Sequence, residues 1–326
     1  MQLIPRLDPP ERPLPPRRRL RTVSTLPTLM TLGNLICGLA AIHFCLRAMY
    51  DAGAMSDPSV ELTLSSRILE RLLPSFLSIG AVFIFIGLVL DGLDGSVARL
   101  TQRTSDFGGQ LDSLADMVTF GAAPAMLVIA VLMTQPEVGV PGPLSGDLAG
   151  RATWMMIAIY VACAAMRLAR FNVENTRRAP AHRRFAGLPS PGAATVLASL
   201  VLLHQHILLH QRFNEAVAPY LAFALPFVAV ALGLLMVSRV GYLHLANLYL
   251  RGRLPFGQVV AMIFLLAVLA WYKEATLAVL VCAYAASGPI AAVIRFVRHR
   301  PPEPSPEETA DDDAGQPPAD TDQRTA

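Results

Sequence analysis

The stretch Asp91-Gly-Leu-Asp94-Gly95-Ser-Val-Ala98-Arg99-Leu-Thr-Gln-Arg-Thr-Ser-Asp-Phe-Gly108-Gly-Gln-Leu-Asp112-Ser-Leu-Ala-Asp116 decides how the chain is read. On a helix Asp91 and Asp94 are spaced i,i+3, and Asp112 and Asp116 i,i+4, so each pair shares one face. Gly95 and Ala98 continue the first stripe, and Gly108 continues the second. A turn near Arg103 and Thr104 makes the two helices antiparallel. Asp91 then lies level with Asp116, Gly95 with Asp112 and Arg99 with Gly108. All four carboxylates are expected at one locus. A like-charged pair 4 Å apart repels by about 4 kcal/mol at an effective dielectric of 20. Such a locus therefore needs protons or cations. All-oxygen ligands favour Mg²⁺, Mn²⁺ or Ca²⁺ over zinc. Two divalent ions would balance the charge and leave positions open for phosphate oxygens. The plain alternative is a set of solvated helix-end acids, which leaves the interleaved Gly and Ala unexplained.

The rest of the chain places this stretch in a membrane. Of 326 residues, 53% are hydrophobic and only 16% charged, and mean hydropathy is +0.47. Soluble domains carry roughly 25% charged residues. The composition therefore argues against a soluble enzyme, a nucleic-acid-binding module and a disordered chain. A spanning helix takes about 20 apolar residues. Eight runs meet or approach that length: 26–47, 72–93, 112–134, 152–172, 191–210, 219–238, 257–272 and 275–296. The expected fold is all-α, a polytopic bundle of about eight transmembrane helices. Arg clusters at 6–21, 99–103, 177–184, 239–253 and 295–300 mark alternate connections. Positive loops stay inside, so both termini and the acidic stretch are expected at the cytoplasmic face. Arg-rich sequence precedes the first run, but that run exceeds the 7–15 residues of a signal peptide's apolar region, so a retained helix is expected. Residues 1–24 read as a disordered basic tail at the membrane surface. Residues 301–326 read as a disordered acidic tail.

At 91–116 the chain resembles the CDP-alcohol phosphatidyltransferase family. Its signature, D-x2-D-G-x2-A-R-x8-G-x3-D-x3-D, is matched at every fixed position. The resemblance implies a helical membrane fold, usually a homodimer, in residues 25–240. Residues 241–300 would then form an additional helix pair. It implies two divalent ions, Mg²⁺ or Mn²⁺, and an alcohol displacing CMP from a CDP-linked lipid. Asp91, Asp94, Asp112 and Asp116 would hold the metals, with Asp116 also the general base. Gly95, Ala98, Arg99, Gly108 and Asn34 would meet the CDP-lipid.

Further segments are similar to the bacterial phosphatidylserine synthase branch: Met166-Arg167-Leu-Ala-Arg170-Phe-Asn172, Phe185-Ala-Gly187-Leu-Pro-Ser190-Pro191, Phe120-Gly-Ala-Ala-Pro124, Asn34-Leu-Ile-Cys-Gly38 and Leu235-Met-Val-Ser238. This implies serine as acceptor and a bacterial inner-membrane location, with CDP-diacylglycerol as the phosphatidyl donor. Arg167, Arg170 and Asn172 would then bind serine or phosphate, a task suited to guanidinium forks. The likeness fades after Tyr242, where Leu243-His-Leu-Ala replaces the branch's usual Ser-Phe-Lys. Thr28 stands where an Asn is usual.

Rival readings are another acceptor (glycerol 3-phosphate, inositol phosphate or choline), a Mg²⁺-dependent membrane prenyltransferase, and a cation transporter. His204, His206 and His210 near the outer end of one run offer a zinc site or, more plainly, an interfacial group. Four cysteines without CxxC spacing read as buried apolar residues.

Overall fold

The computed structural model describes residues 25–54, 75–101, 106–134, 143, 146–177, 187–209, 217–242 and 273–297. Its elements are α1 (Thr25–Ala54), α2 (Phe76–Thr101), α3 (Asp106–Asp116), a π-helical turn (Met117–Ala122), α4 (Ala123–Thr134), α5 (Leu148–Arg177), α6 (Ser190–Leu209), α7 (Val217–Val237) and α8 (Lys273–Val297). Among the described residues no strand occurs, and seven helical segments are long and apolar enough to cross a membrane. The protein is thus a multi-pass helical membrane protein. The run at 257–272 and both tails lie outside the described residues.

Several helices outrun their apolar runs. α1 continues to Ala54 rather than 47, α2 to Thr101 rather than 93, and the third rod starts at Asp106 rather than 112. Hydropathy marks where lipid contact ends, whereas a helix stops only where the chain meets a breaker. No proline stands in these extensions, and their glycines (Gly53, Gly95, Gly108 and Gly109) are accommodated within the helices. The end of α1 gains an i,i+4 pair, Arg47 Nε to Asp51 Oδ1 at 3.4 Å, although exposed pairs of this kind add only ~0.3–0.5 kcal/mol.

The π turn has a local cause. Pro124 has no N–H, so it cannot return a bond to the Phe120 carbonyl one α-turn earlier. The chain widens instead, and the Ala123 N–H reaches the Val118 carbonyl. The Phe120 carbonyl is capped from outside by the Tyr160 hydroxyl of α5 at 2.8 Å, both residues being fully buried. Such a bond matters because an unpaired polar group in an apolar interior costs roughly 1–3 kcal/mol.

The core lies around α4 and α6, where Leu127, Val128, Val131, Leu197 and Val201 are buried beside Ile84 and Leu225. α1 packs along α2 and also against α3, the π turn and α4. Small residues allow the close approaches. A Cβ at Gly233 of α7 would stand 3.2 Å from the Tyr160 backbone of α5. The turn into α6 is set by Gly187, whose φ of +89° suits glycine alone. Its N–H bonds the Val240 carbonyl at 2.8 Å, and Leu188 N–H bonds the Leu235 carbonyl at 3.0 Å. The entry to α6 is thereby stitched to the end of α7.

Candidate active site

One end of the bundle gathers the start of α1, the end of α2, α3, the end of α5 and the start of α6. Asp91, Asp112 and Asp116 converge there, each half-buried, with one oxygen apiece lying within 4.8 Å of the others. Asp94 is buried beside them, within electrostatic reach of Asp112 and Asp116. The hairpin inferred from spacing is therefore real at its carboxylates, with Asp91 in side-chain contact with Asp116. Its arms are not flush, because α3 leans on α1. Gly95 is exposed, and a Cβ there would meet nothing within 4 Å.

α1 supplies the donors that sequence reasoning left out of the metal site. Thr31 Oγ1 donates to Asp94 Oδ2 at 2.9 Å, and Asn34 Nδ2 donates to Asp116 Oδ1 at 3.1 Å. Thr31 and Asn34 are three residues apart in the first half of α1, the same i,i+3 signal that singled out Asp91 and Asp94. Asn34, expected at the CDP-lipid, is fully buried and reaches the carboxylate cluster. Its carbonyl accepts from Thr119 Oγ1 at 2.9 Å, tying α1 to the π turn directly after Asp116.

The cluster suits a divalent cation on its own geometry. Asp112 Oδ1 is buried without a hydrogen-bond partner. An acceptor so placed is costly unless a proton or a cation meets it. Hard oxygen donors at this spacing match Mg²⁺ or Mn²⁺ chemistry.

A cavity of about 230 Å³ adjoins the cluster, lined by Asp116, Arg167, Leu168, Phe171, Pro189, Ser190 and Pro191. Arg167 is thus brought into the lining of the same cavity as Asp116. Arg170, one turn further on, is exposed and outside that lining. Asn172 turns toward α3, its Nδ2 donating to Ser113 Oγ at 2.9 Å. Ser113 in turn caps the Gly109 carbonyl at 3.0 Å, so Asn172 braces the helix that carries Asp112. Gly108 is half-buried at the start of α3. Ala98 and Arg99 sit in the last turn of α2, with side chains outside the described ones.

A sequence model of the CDP-alcohol phosphatidyltransferase family matches residues 24–237. The chain belongs to this family. Its relatives include the CDP-diacylglycerol–serine O-phosphatidyltransferase of Bacillus subtilis, 34% identical over 56% of this chain and 79% of the relative. The protein of that name from Methanocaldococcus jannaschii is 31% identical over 58% of this chain and 73% of its own length. That of Mycobacterium tuberculosis H37Rv is 30% identical over 58% of this chain, which spans about half (53%) of the relative. The matched family region holds every residue described in the carboxylate cluster and the adjoining cavity.

The histidines form no metal group among the described residues, where the acids alone do so. His204 faces inward and is buried, whereas His206 Nδ1 lies 3.6 Å from Glu274 Oε2 of α8. His210 lies outside the described residues.

Proposed function

We propose that this protein transfers the phosphatidyl group of CDP-diacylglycerol to the hydroxyl of L-serine, releasing CMP, at the cytoplasmic face of a bacterial inner membrane. The observation that carries the reading is the small, largely apolar-walled cavity that has Asp116 and Arg167 in its lining beside the carboxylate cluster. Its volume lies below the roughly 300–1,000 Å³ of drug-sized ligand pockets, as befits a small amino acid. The names of the relatives agree with the acceptor.

In this reading Arg167 pairs with the serine carboxylate through its guanidinium fork and turns the hydroxyl toward Asp116. Asp116 takes the hydroxyl proton as the serine oxygen bonds to the phosphorus next to diacylglycerol. The bond from that phosphorus to the bridging diphosphate oxygen breaks, and CMP departs with the electron pair. Asn34 acts through Asp116, holding one carboxylate oxygen so that the other faces the pocket. Thr31 orients Asp94 in the same manner. Asp91, Asp94, Asp112 and Asp116 would hold two divalent ions, Mg²⁺ or Mn²⁺, which supply positive charge against the diphosphate. Gly95, Ala98 and Gly108 leave room for the cytidine diphosphate, with Arg99 beside it, and Arg170 and Asn172 flank the serine side. The homodimer is carried over from the family reading and is tested by light scattering in detergent.

The deciding experiment incubates purified protein with Mn²⁺ or Mg²⁺, CDP-diacylglycerol and a panel of labelled alcohols, following CMP and lipid product. Serine-dependent CMP release is expected. Release with glycerol 3-phosphate, inositol phosphate or choline in its place would move the enzyme to another acceptor. Arg167→Ala should raise the serine KM more than the lipid KM.

A further inference from the structure

α3 is a weak helix that carries two of the four carboxylates. It has 11 residues, Asp106–Asp116, and includes Gly108 and Gly109. Isolated helices shorter than about 12–15 residues are marginal, and glycine is the poorest helix former after proline. Phe107 and Leu114 on it are exposed, and its support comes from α1 and the π turn. α5 is the better anchored post. Its Tyr160 holds the Phe120 carbonyl at 2.8 Å, and Gly233 lets α7 pack against its backbone. The placement of Asp112 and Asp116 relative to Arg167 therefore depends on what joins α3 to α5.

Ser113 and Asn172 make that joint. Ser113 directly follows Asp112 and stands three residues before Asp116. Its hydroxyl donates to the Gly109 carbonyl at 3.0 Å, a back-bond that by itself weakens a helix slightly. The Ser113 oxygen accepts from Asn172 Nδ2 at 2.9 Å. Asn172 Oδ1 lies 3.0 Å from the same oxygen and accepts the hydroxyl proton when it turns from Gly109. Both ends of the amide thus close on one hydroxyl of α3. Arg167 and Phe171, on the same helix as Asn172, line the cavity, whereas Asn172 is outside that lining.

We infer that Asn172 is a positioning residue rather than an acceptor ligand: through Ser113 it docks α3, with Asp112 and Asp116, onto the Arg167-bearing end of α5. This rests on the reading of the carboxylate cluster as a metal site. Removing a hydrogen-bond partner from behind metal ligands costs about 10–100-fold in metal affinity. Asn172→Ala should weaken Mn²⁺ binding about tenfold, followed by electron paramagnetic resonance without substrates. It should lower kcat about tenfold and leave the serine KM within about twofold. Amide hydrogen exchange over 109–116 should quicken several-fold in the metal-free variant, with α4 and α6 unchanged as the sign of an intact fold. Ser113→Ala should repeat these effects, and Ser113→Thr, which keeps the hydroxyl, should retain wild-type binding. The double Ala variant should lose no more than either single one. A raised serine KM with unchanged Mn²⁺ affinity would make Asn172 an acceptor ligand and overturn the assignment. Additive effects in the double variant, or unchanged exchange over 109–116, would overturn it as well. Absence of Mn²⁺ binding by the unmutated protein would strike the metal reading instead, and the exchange result would still decide whether the joint exists.

Discussion

Substituting Gly38 by Ala tests the link between helix packing and the carboxylate cluster. In an isolated helix the change favours Ala by about 1 kcal/mol. Here a Cβ would stand 2.9 Å from Thr119 Cα and 3.0 Å from Thr119 N, backbone atoms of the π turn. Carbon contacts are optimal at roughly 3.5–4.0 Å, so α1 and the turn must part by about 0.6 Å. Overpacking of this kind costs about 1–3 kcal/mol and outweighs the propensity gain. The site feels the same displacement, because Thr119 lies three residues after Asp116 and binds the Asn34 carbonyl. Moving α1 away stretches the Asn34–Asp116 bond from 3.1 Å to roughly 3.7 Å, beyond hydrogen-bond range. A misplacement near 1 Å costs about 10²-fold in rate. We therefore expect turnover to fall by about 10- to 100-fold while the protein still folds. The assay is serine-dependent CMP release in detergent–lipid micelles, beside thermal unfolding. Gly33→Ala on the same helix is the control: its Cβ would meet only Leu90 Cδ1 at 3.1 Å, a side-chain end free to rotate. If Gly38→Ala turned over within twofold of wild type, the tight α1–π-turn contact and its bearing on Asp116 would both be refuted.

Other predictions concern separate parts of the molecule. Tyr160→Phe orphans the buried Phe120 carbonyl and should cost about 1–3 kcal/mol in thermal unfolding. Adding Pro124→Ala should recover part of that loss, since residue 124 then has an N–H for the same carbonyl. Gly187→Ala combines a left-handed backbone with a Cβ 2.8 Å from the Ser238 carbonyl oxygen. It should lower the thermal midpoint by several degrees and, by shifting Ser190 and Pro191, raise the serine KM. Chelation with EDTA should abolish CMP release, with Mn²⁺ or Mg²⁺ restoring it. Asp112→Asn should weaken Mn²⁺ binding followed by electron paramagnetic resonance, and undiminished binding would remove Asp112 from the ligand set.

The four Asp were legible in the sequence because i,i+3 and i,i+4 spacing is a local property of a helix and survives any packing. Pro124 was legible only as part of the Phe120–Pro124 segment that resembles the phosphatidylserine synthase branch. Its physical role needed Tyr160, some 36 residues later, to be seen capping the carbonyl it frees. The spacing argument also set the two arms of the hairpin flush. It counted the carboxylates without the helix that fills the space beside them. α1 takes that space because Gly38 and Gly87 admit Thr119 and Asn34 at distances a larger residue would block.

By itself, then, the sequence determined that the chain crosses a membrane repeatedly, that its acids share helix faces, and which family its signature resembles. Hydropathy, helical period and residue spacing are short-range quantities. The tertiary structure decided which polar groups serve those acids and which arginine reaches the pocket. It chose Thr31 and Asn34 as donors, turned Arg167 inward and left Arg170 exposed, and stitched the glycine turn at 187 to the end of α7. It also laid α8 against α6, a placement no local pattern encodes. These choices depend on which helix faces meet across tens of residues. In an apolar bundle, the buried polar groups must find partners on those faces or go without.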